Sequence, residues 1–102
     1  MNYRIVFSRG AKMDISSAVG WYEHKDPKLG YRFILEIRAI QRRITKYPHI
    51  FPVIDGTVRR AVLKRFPFYV YFTLKIDLVS VIAVVHQRRA DINWLGRGNG
   101  WQ

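Results

Sequence analysis

From Leu78 to Val85 the chain runs through eight residues, of which Ser80 alone is polar. The run stops abruptly in His86-Gln87-Arg88-Arg89. An apolar stretch of this length, bounded by turn residues and by charge, fits a strand covered on both faces. A chain that holds such a strand must build a sheet around it and supply a layer to bury it. The abrupt end also puts a titratable ring and two guanidiniums at the rim of that sheet. Rims of this kind are where small α/β proteins place recognition or chemistry.

The preceding segments supply the neighbouring strands. In Phe68–Lys75 the side chains alternate, with Phe68, Val70, Phe72 and Leu74 on one face and Tyr69, Tyr71, Thr73 and Lys75 on the other. Ile76-Asp77 closes a tight hairpin to the apolar run, and Phe66-Pro67 makes the turn before it. Val58–Arg65 alternates roughly and reads as a further strand, while residues 48–57, with two prolines and Asp55-Gly56, read as a loop. At the other end of the chain, residues 2–7 alternate Tyr3, Ile5 and Phe7 against Asn2, Arg4 and Val6, which predicts a first strand.

Two helices lie between these strands. Ser8 suits an N-cap, because its hydroxyl can accept from an orphaned amide. Ala11, Ile15, Ala18, Val19 and Tyr22 then repeat at helical spacing, with Lys12, Asp14, Ser16 and Glu23 elsewhere. Asp26-Pro27 stops one helix and starts the next, aspartate capping and proline taking the first position. Phe33, Ile37, Ile40 and Ile44 form the apolar stripe of the second helix, which ends at Tyr47 before Pro48. Arg32, Glu36, Arg42, Arg43 and Lys46 occupy its opposite face. The connection is only a few residues, so the helices are expected to form an antiparallel hairpin. The expected order is β-α-α-β-β-β. This is an α+β fold, with the hairpin on one face of a small, mostly antiparallel twisted sheet. The other face, with Tyr69, Tyr71 and the arginines, is expected to be partly exposed and concave. Residues 1–102 are read as a single domain, with 90–102 as a short appended turn or a loose tail.

Composition limits the chemistry. The chain has no cysteine, which excludes disulfides, thiolate metal sites and cysteine nucleophiles. His24, His49 and His86 are scattered without ligand spacing, there is no glycine-rich phosphate loop, and no metal or cofactor is expected. No segment has the length of a membrane span and no cleavable leader is evident, so a cytoplasmic protein without a membrane partner is the expectation. The formal net charge is +11. Residues 32–65 hold nine basic and two acidic side chains, a net of +7. That block is drawn to polyanions such as RNA, DNA, an acidic protein or an anionic surface.

With these elements in order, the chain resembles the RelE/ParE superfamily of toxins from type II toxin–antitoxin and plasmid-stabilisation systems. The resemblance rests on Trp21-Tyr22-Glu23, Leu29-Gly30-Tyr31-Arg32-Phe33 and the Pro48…Phe51-Pro52 segment. It continues through Arg59-Arg60…Leu63…Arg65-Phe66-Pro67-Phe68…Val70-Tyr71 and Ala83-Val84-Val85-His86-Gln87-Arg88-Arg89, and so runs from Tyr3 to about Arg89. It implies a basic, growth-inhibiting toxin in a hetero-oligomer with a cognate acidic antitoxin, whose C-terminal segment wraps the toxin. Charge pairing and strand addition would hold such a segment. Arg32, Arg42, Arg43 and Trp21 are the candidate antitoxin contacts.

The family divides by target. RelE-like members cleave mRNA on the ribosome, and ParE-like members inhibit DNA gyrase. Cleavage by 2′-OH attack needs a base, an acid and cations on the phosphorane. Against the RelE-type set, Arg60 falls near the second-strand lysines and Arg88 matches the last-strand arginine. Val62 and Tyr69 stand where further cations belong, and Trp94 replaces the terminal tyrosine. Against the YoeB-type set, Glu23 and Glu36 are both helical and no tyrosine follows His86. The candidate catalytic residues are therefore His86, Arg88 and Arg60. Arg59, Arg60, Arg65, Tyr69, Tyr71, Arg88 and Arg89 are the candidate anion or target contacts. The bland alternatives are a backbone-bonded strand-end histidine, a solvated arginine rim and ordinary cross-strand tyrosine packing. The incomplete set favours a ParE-like inhibitor over a metal-independent endoribonuclease. A non-toxic nucleic-acid-binding module is the third reading.

Overall fold

The structure, a computed structural model, describes residues 2–90. The expectations for the tail from Asp91, including Trp94, lie outside the described residues. In chain order the elements are β1 (Arg4–Phe7), α1 (Arg9–Lys25), α2 (Pro27–Lys46), β2 (Val53–Asp55), β3 (Val58–Val62), β4 (Phe68–Lys75) and β5 (Leu78–His86). Single-turn 3-10 segments occupy Pro48–Ile50 and Gln87–Arg89. The five strands form one sheet in the order β1-β5-β4-β3-β2. β1 pairs parallel with β5, and every other pairing is antiparallel.

The helices begin and end where their caps require. The Ser8 hydroxyl accepts from the Ala11 amide at 3.0 Å. Asp26 alone joins the helices, closing α1 through its own amide and capping α2 by accepting from the Lys28 amide. Phe33, Ile37, Ile40 and Ile44 are buried against the sheet. Gly30 lies at the helix crossing, where an added Cβ would come within 3.0 Å of the Glu23 Cβ. An alanine there would require the two helices to give by a few tenths of an ångström, so glycine suits this close crossing.

Three expectations need correction. Residues 48–57 are not simply a loop, because Val53–Asp55 forms an edge strand on β3. Asp55 ends that strand opposite Val58, and the two-residue turn between the strands is Gly56-Thr57, one position later than expected, with Gly56 at φ +55°. The β3 strand stops at Val62 rather than Arg65, because Glu36 Oε1 takes the amides of Lys64 and Arg65 at 3.0 and 3.3 Å. The sheet face away from the helices carries its own buried cluster of Val58, Tyr71, Ile82, Ala83, Val85 and Ala90. Tyr71 is 1% exposed there, so the expected open tyrosine face presents Tyr69 but not Tyr71.

The central strand carries one irregularity. Tyr71 pairs with Ala83 and Phe72 with Val81, which leaves Ile82 as an extra residue in β5. Val79 and Val81 pack in the helix-side cluster, Ile82 and Ala83 both in the opposite one, and Val84 in the helix-side cluster again. This β-bulge shifts the alternation of the last residues of β5.

Candidate functional site

The bulge decides which face receives His86. Opposite Phe68 in the ladder, the His86 ring lies 5.2 Å from the Phe68 ring, on the helix side of the sheet. Its Nδ1 accepts the Arg88 amide at 3.1 Å, so in the neutral ring the proton sits on Nε2. That contact turns the chain into the 3-10 segment and carries Arg88 and Arg89, both exposed, past the end of β5.

Across from them stands one stripe of α1. Asp14, Ser17, Ala18 and Trp21 recur at i, i+3, i+4 and i+7 and form the opposite wall of a groove of about 670 Å³. His86, Arg88 and Arg89 form the sheet-end wall, and Tyr22, Phe68, Val84 and Val85 complete the lining. Trp21 is 58% exposed, with its ring edge-on to Tyr22 at 5.0 Å and the Lys25 ammonium 4.4 Å above it. Tyr22 is also in ring contact with Phe33, Phe66 and Phe68. Desolvation in this apolar setting raises its phenol above the usual value. The groove therefore offers an aromatic wall beside two exposed guanidiniums that pair with no carboxylate among the described residues, a surface for an anionic segment that also carries apolar side chains.

Arg60 is elsewhere. It faces Tyr71 across the β3–β4 ladder on the far side of the sheet, with its guanidinium 4.4 Å over the Tyr69 ring. The structure thus joins His86, Arg88 and Arg89 in one groove and sets Arg60 and Tyr69 on the opposite face. Arg59 points to the helix side and donates to the Phe51 carbonyl at 2.7 Å, holding the segment before β2. Arg65 is exposed in the turn that Glu36 anchors. The expected antitoxin contacts also separate. Trp21 lines the groove, whereas Arg32 and Arg42 lie on the solvent face of α2 and Arg43 packs over Phe51 at 5.4 Å. Among the described residues no group of His, Asp or Glu side chains comes together to hold a metal ion, and no helix is long and apolar enough to cross a membrane.

Sequence reasoning overlooked Asp14 as a groove residue. Its signal was present, because Asp14 falls three residues after Ala11 and four before Ala18, both buried. An acidic residue on the buried side of a helix needs a partner, and Asp14 Oδ2 accepts the Val84 amide at 2.9 Å.

No family model and no curated protein matches the sequence. Among solved structures, the fold is similar to a chain of the "Chromosomal ParDE TA system from P. aeruginosa", with a TM-score of 0.73 and 17% identity. The match covers 82% of this chain and 95% of that one. The two proteins share a fold, and it is the α+β arrangement that the RelE/ParE resemblance implied.

Proposed function

We propose that this chain is the toxin of a bacterial toxin–antitoxin pair. In this reading it binds and inhibits an intracellular target of the gyrase type, without chemistry of its own, and an acidic antitoxin neutralises it. The shared fold with a ParDE toxin–antitoxin structure supports the pairing by fold-level analogy. The net charge of +11 supports an acidic partner. The α1–β5 groove suits an antitoxin segment that seats an apolar side chain on Trp21 and its carboxylates on Arg88 and Arg89.

The observation that carries the choice of inhibitor over nuclease is the separation of Arg60 from His86. Acid, base and cations must all lie within hydrogen-bond reach of one phosphate. Side chains on opposite faces of a sheet cannot converge in that way. The second reading, a RelE-like ribosome-dependent endoribonuclease, keeps one supporting contact, the Arg60 guanidinium over Tyr69, with Tyr69 as proton carrier in place of the missing acid.

Induction in a bacterial host separates the readings, with mRNA ends mapped and plasmid topology followed in parallel. Growth arrest with intact mRNA and altered supercoiling or DNA breaks is the expected result. Fresh cuts within translated codons, lost on Arg60→Ala, would replace it with the nuclease reading. Harmless accumulation of folded protein would leave a nucleic-acid-binding module.

A further inference from the structure

Helix α2 carries six cations, Lys28, Arg32, Arg38, Arg42, Arg43 and Lys46, against one carboxylate, Glu36. At about 100° per residue, all six fall within an arc of roughly 140° opposite the buried stripe. Glu36 does not neutralise them, since its Oε1 is turned to the amides of Lys64 and Arg65. Arg43 and Lys46 lie over the rings of Phe51 and Tyr47. Among the described residues the ion pair present is Arg4–Asp77, at the far corner of the sheet, so Lys28, Arg32, Arg38 and Arg42 face solvent without a counter-charge. This surface is distinct from the α1–β5 groove, which takes no residue from α2.

The shape of the surface selects its partner. The cations line neither the α1–β5 groove nor the small apolar cleft between α2 and the sheet. They sit on a convex ridge about 27 Å long, from the helical rise per residue. Leu35, 42% exposed, and Ala39 lie on the crest, with Arg38 and Arg42 on one flank and Arg32 and Arg43 on the other. A peptide partner needs a concave, well-packed site for its apolar anchors, and the ridge has none. The B-form major groove is concave, about 12 Å wide, and admits a helix of this diameter. Its two phosphate walls would meet the flanking cations, and the methyl groups on its floor would meet Leu35 and Ala39. The A-form RNA major groove is too deep and narrow for the same fit.

We propose that the solvent face of α2 is a docking surface for double-stranded DNA, with the ridge seated in the major groove. This goes beyond the toxin reading and does not depend on it. The test is fluorescence anisotropy of the full chain with a mixed-sequence DNA duplex, the matching RNA duplex and poly-glutamate, over a salt series. With four to six phosphates engaged, log K is expected to fall against log salt with a slope of about −4 to −5. Arg32→Glu/Arg42→Glu is expected to weaken DNA binding more than tenfold at 0.1 M salt and to flatten the slope by about two. Arg4→Glu/Lys75→Glu makes the same charge change away from the helix and is expected to reduce affinity less than threefold. Circular dichroism and melting check each variant, and if the double glutamate does not fold, Arg32→Gln/Arg42→Gln is expected to show the same loss at reduced size. Equal binding by wild type and the Arg32/Arg42 variants would overturn the proposal. RNA duplex or poly-glutamate binding as tightly as DNA would overturn it too, the former leaving undirected charge attraction and the latter an acidic protein partner.

Discussion

Asp14 on α1 holds the Val84 amide of β5 at 2.9 Å. The contact exists because β1 runs out. It pairs with β5 only from Arg4 to Phe7, opposite Leu78 to Val81. Beyond Val81 the edge of β5 is served by α1 instead, with Ser8 Oγ donating to the Ile82 carbonyl and Asp14 accepting from Val84. The start of a helix thus takes the place of a missing strand, in the region where the bulge turns His86 toward the groove.

Removing the carboxylate leaves a partly buried amide unsatisfied. Asp14→Ala is expected to lower stability by about 1–3 kcal/mol, and Asp14→Asn, which keeps an acceptor oxygen, by less. Urea denaturation of the two variants checks the order. In the alanine variant, amide exchange at Val84 should accelerate more than at Val79, which β1 still protects.

Glu36 holds the β3–β4 turn through two amides that β3 no longer pairs. Glu36→Ala is expected to cost about 1–2 kcal/mol, because both bonds are charge-assisted but lie near solvent. Thermal melting measures the loss, and proteolysis should first cut the variant between Leu63 and Pro67.

Ile76 turns the β4–β5 hairpin at φ +56°, a left-handed conformation that a β-branched side chain resists, and it is 92% exposed. Ile76→Asn is expected to raise stability by about 1 kcal/mol, since asparagine accepts that conformation and no packing is lost. A higher melting temperature with an unchanged spectrum is the result to look for.

Burial holds the Tyr22 phenol above the ordinary tyrosine value of 10.0. Below that pH both the folded and unfolded chains keep the proton, and stability is unaffected. As pH rises past it, the unfolded chain ionises first and binds fewer protons, so stability falls until the folded phenol also titrates. Tyr22→Phe is expected to flatten this alkaline loss. Denaturation midpoints from pH 8 to 11 for both proteins measure it.

On the proposed toxin reading, Trp21→Ala is expected to weaken binding of an acidic segment in the groove more than tenfold with little change in melting temperature, because the ring is an exposed wall of the groove rather than core. Arg88→Ala/Arg89→Ala should weaken the same partner and reduce the salt dependence of its binding. Calorimetric titration with an acidic peptide that carries one aromatic or leucine anchor reads both effects.

The elements held by short-range chemistry were legible in the chain. The Ser8 and Asp26 caps, Pro27 at the start of α2, the Phe33–Ile44 stripe and the alternation of β4 each depend on residues within a few positions. Their partners are dictated by helical or strand periodicity, whatever the rest of the molecule does. The Asp55-Gly56 turn signal was also present, but a three-residue strand directly after Pro52 was too short to read as one.

Tertiary structure alone decided where the charges meet. A sheet alternates with period two, so one extra residue at Ile82 moves every later side chain of β5 to the other face. No local pattern in a nearly continuous apolar run marks that position. Its consequence is that His86 and Arg88 join Trp21 beside α1, while Arg60 stays with Tyr69 behind the sheet. The sequence by itself determined a basic α+β domain with a helical hairpin over a central apolar strand. Which of its arginines act together was settled only when strands far apart in the chain took their register.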